Sequence, residues 1–412
     1  MITVEKALET ILAQIRVLGS ERIDILGSRG RVLAEDIVSG LDVPPHDNSS
    51  MDGYAVRHTD IADAVADKPV QLKITGDLPA GYISREILQP GQALRIMTGA
   101  PVPQGADTVI MQENTTAQGS TVAILQGEKA GANIRRAGED IKKGALLFPA
   151  GTVVRPAHIG IMASIKRAMV SVYQRPRVAI LSTGDELVDI DGKLGPGKIV
   201  SSNSYSLMSL VAEAGGTPIM LGIARDTKDA LRARLLEGLH ADIIISSGGV
   251  SVGDYDYVKD VLQELGADMK FWKVLMRPGQ PLAFGVIGDK PAFGLPGNPV
   301  SAMVSFEQFV RPAMRKMSGH TKLFRRPIEA VAQQDVPGRP GRKFFVRCRL
   351  TQKDGQWFAS TTGEQGSGIL MSMAEASGLM AIPADVSGVS AGDRVSVQVL
   401  DPELGYSETV NY

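Results

Sequence analysis

A glycine-rich loop is the stretch of this sequence whose residue types and spacing first suggest chemistry. It reads "SSGGVSVGDYDY" over residues 246–257, with adjacent Gly248 and Gly249, a hydroxyl at Ser251 and a carboxylate at Asp256. Adjacent glycines let the backbone approach a ligand closely, and consecutive N–H groups ahead of a helix favour an anion. The loop lacks the Gly-Lys-Ser/Thr ending of a nucleotide P-loop. It is predicted to hold a phosphate, or else to be a plain strand-to-helix turn with Asp256 as the helix N-cap.

Two more acidic turns follow strand-like segments upstream of that loop. "STGDEL" places Gly184 and Glu186 after one strand, and Asp226 follows the strand that ends in "IAR". Carboxylates at neighbouring strand ends favour a hard, oxygen-loving cation such as Mg²⁺, which a bound phosphate can share. The alternative is a pair of tight turns with solvated carboxylates, in which Asp226 is the N-cap of the next helix.

A proline turn and a pair of cations are further candidates. In "LPGNPVSA", Pro296 and Pro299 restrict φ and make the turn rigid ahead of a long helix. "KVLMRPGQPLAFG" supplies Lys273 and Arg277 without balancing acids nearby. The prolines are either turn punctuation or a preorganised ligand wall, and the cations are either solvated or bound to an oxyanion.

Two polar segments nearer the N-terminus carry acids. "DNSSMDGYA" contains Asp52, and "RRAGEDI" contains Asp140 beside two arginines. The first segment is either a loop that caps the next element or part of a site made between domains or subunits. The second is either a salt-bridged linker or a contact for an anion and a metal.

The composition argues against several functional classes. With 44 Lys plus Arg against 45 Asp plus Glu, no basic excess is left to neutralise a phosphate backbone, so no nucleic-acid partner is expected. The five scattered histidines argue against a zinc site or a Ser-His-Asp enzyme. The single cysteine excludes internal disulfides, and no apolar run approaches the roughly 20 residues of a membrane span. We therefore expect a cytoplasmic protein without a membrane partner.

Alternating strand-like and helix-like segments fill residues 177–317. Apolar runs such as "RVAILST" and "ADIIISS" alternate with amphipathic segments such as "SYSLMSLVAEAGG", which closes on two glycines. This alternation predicts a three-layer α/β/α domain with a mainly parallel sheet. Ligands of such sheets lie beyond the carboxyl ends of the strands. Three glycine- or acid-bearing loops are predicted to fall there, at 184–187, 248–256 and 295–301.

Shorter strand-like segments with Gly and Pro turns lie on both sides of this block. "VQLKITGDLPAG" and "STVAILQG" predict a β-rich inserted domain, while "KFFVRCRL", "QWFASTT" and "DRVSVQVL" predict a C-terminal β-barrel. The flanks of the inserted domain predict an elongated connector. The predicted domains are an N-terminal helix and connector (1–44), the β-rich inserted domain (45–138), a return connector (139–173), the α/β ligand-binding domain (174–322) and the barrel (323–412).

Seven strings of the sequence occur in one order: "DNSSMDGYA", "MTGAPVPQGADTVIMQE", "RRAGEDI", "STGDEL", "GGVSVGDYD", "RPGQPLAFG" and "GLPGNPVSA". Together they closely resemble the molybdopterin molybdenumtransferases, the family of bacterial MoeA and of the E domain of gephyrin. The resemblance covers essentially the whole chain. It implies insertion of molybdenum from molybdate into adenylylated molybdopterin, with hydrolysis of the pyrophosphate link and release of AMP, as the last step of molybdenum cofactor synthesis. It also implies an elongated homodimer of four-domain subunits, with the site between the α/β domain of one subunit and the β-rich domain of the other.

The resemblance also assigns roles to residues of this chain. The implied catalytic positions are Asp52, Asp140, Glu186, Asp226 and Asp256, of which Glu186, Asp226 and Asp256 bind Mg²⁺ or orient the attacking water. The implied substrate-binding positions are Thr98, Gly184, Gly248, Gly249, Ser251, Pro296 and Pro299.

Molybdate carries two negative charges and calls for cations and hydroxyls. The implied molybdate contacts are Lys273, Arg277, Gln280, Arg347 and Ser367. Many relatives read Pro-Gly-Lys-Pro where this chain has Pro-Gly-Gln-Pro, with Gln280 in place of the lysine. Glutamine donates a hydrogen bond but brings no charge, which would weaken oxyanion affinity. Nothing in the sequence separates molybdate from tungstate, because the two ions are nearly isosteric.

Two alternative functions stay open on the sequence alone. Adenylylation of molybdopterin with ATP is the preceding step, although the related adenylylating proteins share only the three-layer domain. A non-catalytic pterin-binding scaffold is less favoured, because the chain has no long linker or appended domain for clustering partners. The adenylylating enzyme and apo-molybdoenzymes are candidate protein partners.

Overall fold

The structure, a computed structural model, describes residues 1–249 and 257–406. The chain forms two compact units, which are coarser than the five predicted domains; the boundaries of those domains stay a prediction. The first unit comprises Met1–Glu21, Gly30–Ala34 and Val172–Tyr412, and the second comprises Arg22–Arg29 and Glu35–Ser171.

A six-stranded sheet forms the centre of the first unit. Its strands are β1 (Arg177–Thr183), β2 (Thr217–Ala224), β3 (Ile243–Ser247), β4 (Asp268–Lys273), β5 (Pro281–Ile287) and β6 (Lys290–Leu295). In space they follow the order β2-β1-β3-β6-β5-β4. The strands β2, β1, β3 and β6 run parallel, whereas β5 is antiparallel to both of its neighbours. The prediction of a mainly parallel sheet is confirmed.

Helices cover both faces of this sheet. They are α1 (Val4–Gln14), α2 (Ser202–Glu213), α3 (Lys228–Gly238), α4 (Tyr257–Glu264), α5 (Pro299–Ser305) and α6 (Arg311–Met317). Side chains of a strand alternate between faces, and Ile180 of β1 shares an apolar core with Leu207 of α2. The next residue, Leu181, shares a second core with Leu231 of α3. These two cores confirm the three-layer arrangement.

A π-helical turn, Phe306–Val310, joins α5 to α6 within the segment that the sequence predicts as one long helix. The turn carries Glu307, whose side chain is only 3% exposed. Its carboxylate accepts from Arg311 at 2.6 Å and from Arg325 at 2.9 Å. Two guanidinium partners offset the cost of burying this charge.

The C-terminal part of the first unit is a closed five-stranded barrel, as predicted. Its strands are β7 (Pro327–Ala332), β8 (Lys343–Lys353), β9 (Gln356–Thr361), β10 (Gly378–Ile382) and β11 (Arg394–Val399). They follow the order β8-β9-β7-β11-β10, and β10 pairs back with β8. The short helix α7 (Leu370–Ala374) precedes β10. Three short strand pairings complete the unit: Leu187–Val188 with Ile199–Val200, Val336–Pro337 with Gly388–Val389, and Met276–Arg277 with β8.

The second unit is rich in β-structure, as predicted. Its main sheet contains, in spatial order, Thr108–Met111, Gly53–Val56, Gln92–Ile96, Val70–Leu78, Thr121–Ile124 and Thr115–Gln118. Two short antiparallel pairs join Asn48–Ser49 to Ile134–Arg135 and Ile37–Val38 to Leu146–Phe148. Its helices are His58–Ile61 and Pro156–Ser164.

A few short elements remain. Strands Ser20–Asp24 and Met169–Tyr173 lie where the chain passes from one unit to the other, and single 3₁₀ turns occupy Leu26–Ser28, Gln112–Asn114 and Pro402–Gly405. Among the residues that the structure describes, no helix is long and apolar enough to cross a membrane.

Candidate active site

A cavity of about 570 Å³ opens at the carboxyl ends of β1, β3 and β6. These three strands run parallel, so their ends meet at one edge of the sheet, where ligands of such sheets bind. The sheet thereby brings together residues from four loops that are distant in the sequence. The predicted site residues that line the cavity are Gly184, Glu186, Asp226, Gly248, Gly249, Pro296 and Pro299.

Two adjacent positions of the cavity wall can hold only glycine, because their φ values are positive and because a Cβ would clash with neighbouring atoms. Gly248 and Gly249 have φ values of +94° and +66°, which ordinary side chains rarely adopt. A Cβ at Gly248 would lie 2.7 Å from the carbonyl oxygen of Thr183, and one at Gly249 would lie 2.6 Å from a methyl carbon of Val258. The backbone at the end of β3 therefore packs directly against β1 and α4, and no side chain shields it from the cavity.

The N-terminus of α2 forms another wall of the cavity. Ser201, Ser202 and Asn203 all line it, and the unpaired N–H groups at a helix N-terminus favour an anion. The side-chain amide of Asn203 donates to the hydroxyl of Ser247 at 2.8 Å and to the carbonyl of Gly297 at 2.7 Å. Asn203 thus ties α2 to the end of β3 and to the proline turn.

Two carboxylates, Glu186 and Asp226, line the same cavity. Asp226 accepts from the backbone N–H of Asp185 at 3.2 Å, and Asp185 accepts from the N–H of Asp226 at 3.3 Å. The N-cap of α3 is Thr227, whose hydroxyl accepts from the N–H of Ala230. The alternative in which Asp226 caps this helix is therefore wrong, and its carboxylate remains available at the cavity.

The described part of the site fits a magnesium ion that a phosphate helps to hold. Within residues 1–249 and 257–406, no group of three or more His, Cys, Asp or Glu side chains is placed to bind a metal ion. Mg²⁺ is usually bound through one or two carboxylates together with substrate phosphates and water. Glu186 and Asp226 are a donor set of this kind. The third predicted ligand, Asp256, and the predicted loop hydroxyl, Ser251, lie outside the described residues.

Three predicted residues lie in the second unit. One carboxylate oxygen of Asp52 accepts from both the N–H and the hydroxyl of Thr98, each at 2.7 Å. These two bonds lower the pKa of Asp52, with the backbone bond as the larger cause. Asp140 is exposed. In the same segment Arg136 forms an ion pair with Asp47 at 2.6 Å, which supports the interpretation as a salt-bridged linker.

The predicted molybdate contacts of the α/β domain lie between β4 and the start of β5. Lys273 pairs with Pro281 across β4 and β5, and Pro281 lines the cavity. Arg277 lies in the short strand that pairs with β8. The side-chain oxygen of Gln280 accepts from the guanidinium of Arg342 at 3.1 Å. A cation that the sequence analysis missed therefore lies beside the uncharged glutamine.

Arg347, a predicted molybdate contact from the barrel, is a buried side chain. It is only 1% exposed, and its guanidinium makes four hydrogen bonds, to the hydroxyl of Ser372 and to the carbonyl oxygens of residues 364–366. Burial lowers its pKa, although an arginine stays charged. The carbonyl of Ser367 accepts from the N–H of Val300 at 3.1 Å. The contact of the Arg347 side chain with molybdate stays a prediction.

The sequence analysis also missed residues that shape the cavity. The polar run "SSNSYS" at the start of α2 is the signal that points to Asn203, because polar residues ahead of an amphipathic helix mark a helix N-terminus. No comparable signal exists for Arg342, since its contact with Gln280 depends on how β8 pairs with a strand far upstream.

Comparison with known proteins decides the family. The MoeA N-terminal region (domain I and II) matches residues 2–165, the probable molybdopterin binding domain matches 179–316, and the MoeA C-terminal region (domain IV) matches 329–400. The molybdopterin molybdenumtransferase of Nostoc sp. is 43% identical over 384 residues, which are 92% of this chain and 88% of that protein. The chain belongs to the molybdopterin molybdenumtransferase family.

Further members of the molybdopterin molybdenumtransferase family match along nearly the whole chain. Molybdopterin molybdenumtransferase 2 of Mycobacterium tuberculosis is 38% identical over 403 residues, covering 96% of this chain and 99% of that protein. The molybdopterin biosynthesis MoeA protein of Pyrococcus horikoshii superposes with a TM-score of 0.85 at 33% identity, covering 97% of this chain and 99% of that one. The family resemblance and the fold class are both confirmed.

Proposed function

We propose that this chain transfers molybdenum from molybdate to adenylylated molybdopterin, hydrolyses the pyrophosphate link and releases AMP. The observation that carries the proposal is the cavity at the carboxyl ends of β1, β3 and β6, where glycine backbone, a helix N-terminus and two carboxylates converge. The substrate's own dithiolene supplies soft sulfur ligands for molybdenum, so the protein needs no thiolate. Burial raises the pKa of Cys348 to about 12, which makes this thiol a poor ligand.

The phosphate end of the substrate is proposed to lie against the glycine pair and the N-terminus of α2. Backbone N–H groups and the positive end of the helix dipole offset the negative charge of the pyrophosphate. Asn203 keeps α2, β3 and the proline turn at fixed distances. A wall that is held in advance positions the reacting phosphorus without reorganisation during the reaction.

The two carboxylates of the cavity are proposed to divide two tasks, holding Mg²⁺ and accepting the proton of the attacking water. When bound, the cation neutralises charge on the pyrophosphate. The oxygen of water bonds to phosphorus, the bond to AMP breaks, and the proton passes to a carboxylate. Asp226 is held for its task by the N–H of Asp185.

Molybdate is proposed to bind to Lys273, to Arg277 and to the pair formed by Gln280 and Arg342. Gln280 brings no charge itself, but its side-chain oxygen holds the guanidinium of Arg342 at 3.1 Å. In the transfer, Mo–S bonds to the dithiolene replace Mo–O bonds of molybdate, and the displaced oxygen leaves as water after taking up thiol protons. Molybdenum keeps its oxidation state, so the step needs no electron donor.

The proposed localisation, oligomeric state, protein partners and functional residues of the second unit rest on the family resemblance alone. We propose a cytoplasmic homodimer that receives its substrate from the adenylylating enzyme and delivers its product to apo-molybdoenzymes. Asp52, Thr98 and Asp140 are the proposed functional residues of the second unit. Light scattering of the purified chain tests the dimer, and a monomer at micromolar concentration would contradict it.

The experiment that tests the function measures AMP release from adenylylated molybdopterin with Mg²⁺ and molybdate, with tungstate in parallel. Reconstitution of an apo-molybdoenzyme with the product is the second readout. We expect molybdate-dependent AMP release, and about a 100-fold loss of kcat in Asp226→Ala because a proton acceptor or cation ligand is removed. Asp229→Ala, in the first turn of α3, is the matched control and is expected to match the wild type.

Three results would contradict the proposal. Tight binding of adenylylated molybdopterin without AMP release would indicate a carrier or scaffold. ATP-dependent transfer of AMP to free molybdopterin would indicate the preceding step. Failure to bind adenylylated molybdopterin would mean that the cavity serves another ligand.

A further inference from the structure

A short flap, residues 185–200, follows β1 and closes on itself beside the cavity. Two hydrogen bonds of a parallel strand pair join its two ends. The N–H of Ile199 donates to the carbonyl of Glu186 at 2.9 Å, and the N–H of Ser201 donates to the carbonyl of Val188 at 2.9 Å. The two strands of the flap are therefore held together by its own backbone, without a ligand.

The flap turns apolar side chains toward the cavity. Leu187, Ile199 and Val200 line it, although Ile199 is 56% exposed and Val200 is 40% exposed. The walls already described, which are glycine backbone, a helix N-terminus and two carboxylates, suit phosphate and a cation. An exposed apolar wall beside them suits an uncharged flat ring, because burial of apolar surface is what such a wall can contribute to binding.

The position of the flap in the sheet decides which ring of the substrate it meets. The flap follows β1, whereas the proposed molybdate contacts Lys273 and Gln280 lie at the end of β4 and before β5. The strands β3 and β6 separate β1 from β5, so about 14 Å lie between the two ends of the cavity. The dithiolene must meet molybdate at the β5 end, and the pyrophosphate lies between, at the glycine pair after β3. The adenine ring then reaches the flap.

A tyrosine of α2 holds the flap from the neighbouring wall. The hydroxyl of Tyr205 donates to a carboxylate oxygen of Asp189 at 2.6 Å, and the same oxygen accepts from the N–H of Ile190 at 2.8 Å. These bonds lower the pKa of Asp189, with the tyrosine bond as the larger cause. Because α2 also carries Asn203 of the phosphate wall, the bond fixes the flap relative to that wall.

We propose that the flap is the adenine wall of the cavity and that Tyr205 is its positioning residue, which acts through Asp189. The inference rests on the proposed function for the identity of the substrate. Hydrolysis leaves the adenine ring unchanged, so AMP by itself is a probe of this wall. Ribose 5-phosphate has the same sugar and phosphate without the ring, and it is the matched reference.

The first test measures the binding of AMP and of ribose 5-phosphate by calorimetry in the presence of Mg²⁺. We expect the wild type to bind AMP more tightly, and Ile199→Asn to raise the Kd for AMP about tenfold because apolar contact with the ring is lost. The Kd for ribose 5-phosphate should not change, which also shows that the variant is folded. Leu194→Asn is the control, since Leu194 is an exposed residue of the same flap and is not among the described residues that line the cavity.

The second test addresses Tyr205 with the conservative variant Tyr205→Phe. We expect amide hydrogen exchange at Ile199 and Ser201 of the ligand-free protein to accelerate about tenfold, because the flap loses its bond to α2. The KM for adenylylated molybdopterin should rise while the KM for molybdate stays the same. Asp189→Asn keeps an acceptor for the hydroxyl and should show a milder effect. Tyr82→Phe, at an exposed tyrosine of the second unit, is the control.

Three results would overturn the inference or part of it. Equal affinity of the wild type for AMP and ribose 5-phosphate would mean that the flap holds no ring. Weaker binding of molybdopterin but not of AMP in Ile199→Asn would place the pterin there instead. Unchanged exchange in Tyr205→Phe would remove the role of Tyr205. If the wild type binds AMP through the flap yet releases none from adenylylated molybdopterin, the proposed function fails and the adenine wall stands.

Discussion

Gly248 is the residue of the cavity at which one added methyl group has the clearest consequence. Its φ of +94° would strain the backbone of any other residue. A Cβ placed there would also clash, because it would lie 2.7 Å from the carbonyl oxygen of Thr183. We expect Gly248→Ala to lower the free energy of unfolding by about 2–4 kcal/mol, because the cost of backbone strain adds to the cost of overpacking. Affinity for adenylylated molybdopterin should fall as well, because the loop must move. Denaturant unfolding and equilibrium binding measure the two effects.

Gly215 offers the matched control for that substitution. Its φ of +86° is similar, but no described heavy atom lies within 4 Å of a Cβ placed there. Gly215→Ala should therefore cost only the backbone strain, about 1 kcal/mol, and leave binding unchanged. Equal effects of the two substitutions on binding would show that the close approach of Gly248 to β1 does not matter for the cavity.

Arg342 is the second residue for which the structure makes a specific prediction. Its guanidinium lies 3.1 Å from the side-chain oxygen of Gln280, so it places a positive charge beside a position that is itself uncharged. We expect Arg342→Ala to raise the KM for molybdate about tenfold, since one charge-assisted contact with an oxyanion is lost. The KM for adenylylated molybdopterin should change little. The control is Arg339→Ala, because Arg339 is exposed. An equal rise of the KM for molybdate in both variants would show that only the total surface charge matters.

A pH-dependent contact lies just beyond the end of α6, at His320. Desolvation, with a smaller contribution from the nearby Arg315, lowers the pKa of His320 from 6.5 to about 4. The ring nitrogen Nδ1 lies 3.3 Å from the guanidinium of Arg315, so the neutral ring accepts there. Between pH 6.5 and 4 the unfolded chain binds a proton that the folded chain does not, so stability falls as the pH is lowered through this window.

We expect this residue to account for about 1–2 kcal/mol of the loss of unfolding free energy between pH 7 and pH 4, after a discount for partial exposure. His320→Gln keeps a hydrogen-bond acceptor without the titration, so its stability should depend less steeply on pH. The exposed His46→Gln should retain the wild-type slope. Urea denaturation at several pH values provides the measurement, and parallel slopes for all three proteins would refute the assignment.

The elements show what the sequence can and cannot predict. Strands such as β1 and β3 were predictable because both faces are buried and each strand contains an uninterrupted apolar run. The meeting of Glu186, Asp226 and Gly248 followed from the parallel topology of these strands. The π-turn at Phe306–Val310 was not predictable, because no residue pattern in the sequence separates it from the α-helical turns on either side. The burial of the Arg347 side chain was equally hidden, since burial of an arginine depends on tertiary packing.

At the scale of the whole molecule, the barrel shares its core with the α/β domain. Phe345 of β8 and Leu379 of β10 are fully buried in the same apolar cluster as Ile11 of α1 and Val178 of β1. The barrel also has a cluster of its own, which contains Val397 of β11. The first unit should therefore lose structure in both parts when the shared cluster is disrupted.

Phe345→Ala tests this coupling. Removing a buried phenylalanine from a packed core costs about 3–5 kcal/mol, and because the cluster spans both parts, amide exchange should accelerate in β1 and β3 as well as in the barrel. Val397→Ala removes volume from the cluster that belongs to the barrel alone, so its faster exchange should be confined to β7–β11. If Phe345→Ala loosened only the barrel strands, the barrel would be an independently stable domain, and the hydrogen bond from the N–H of Val300 to the carbonyl of Ser367 would then join α5 to a separate domain.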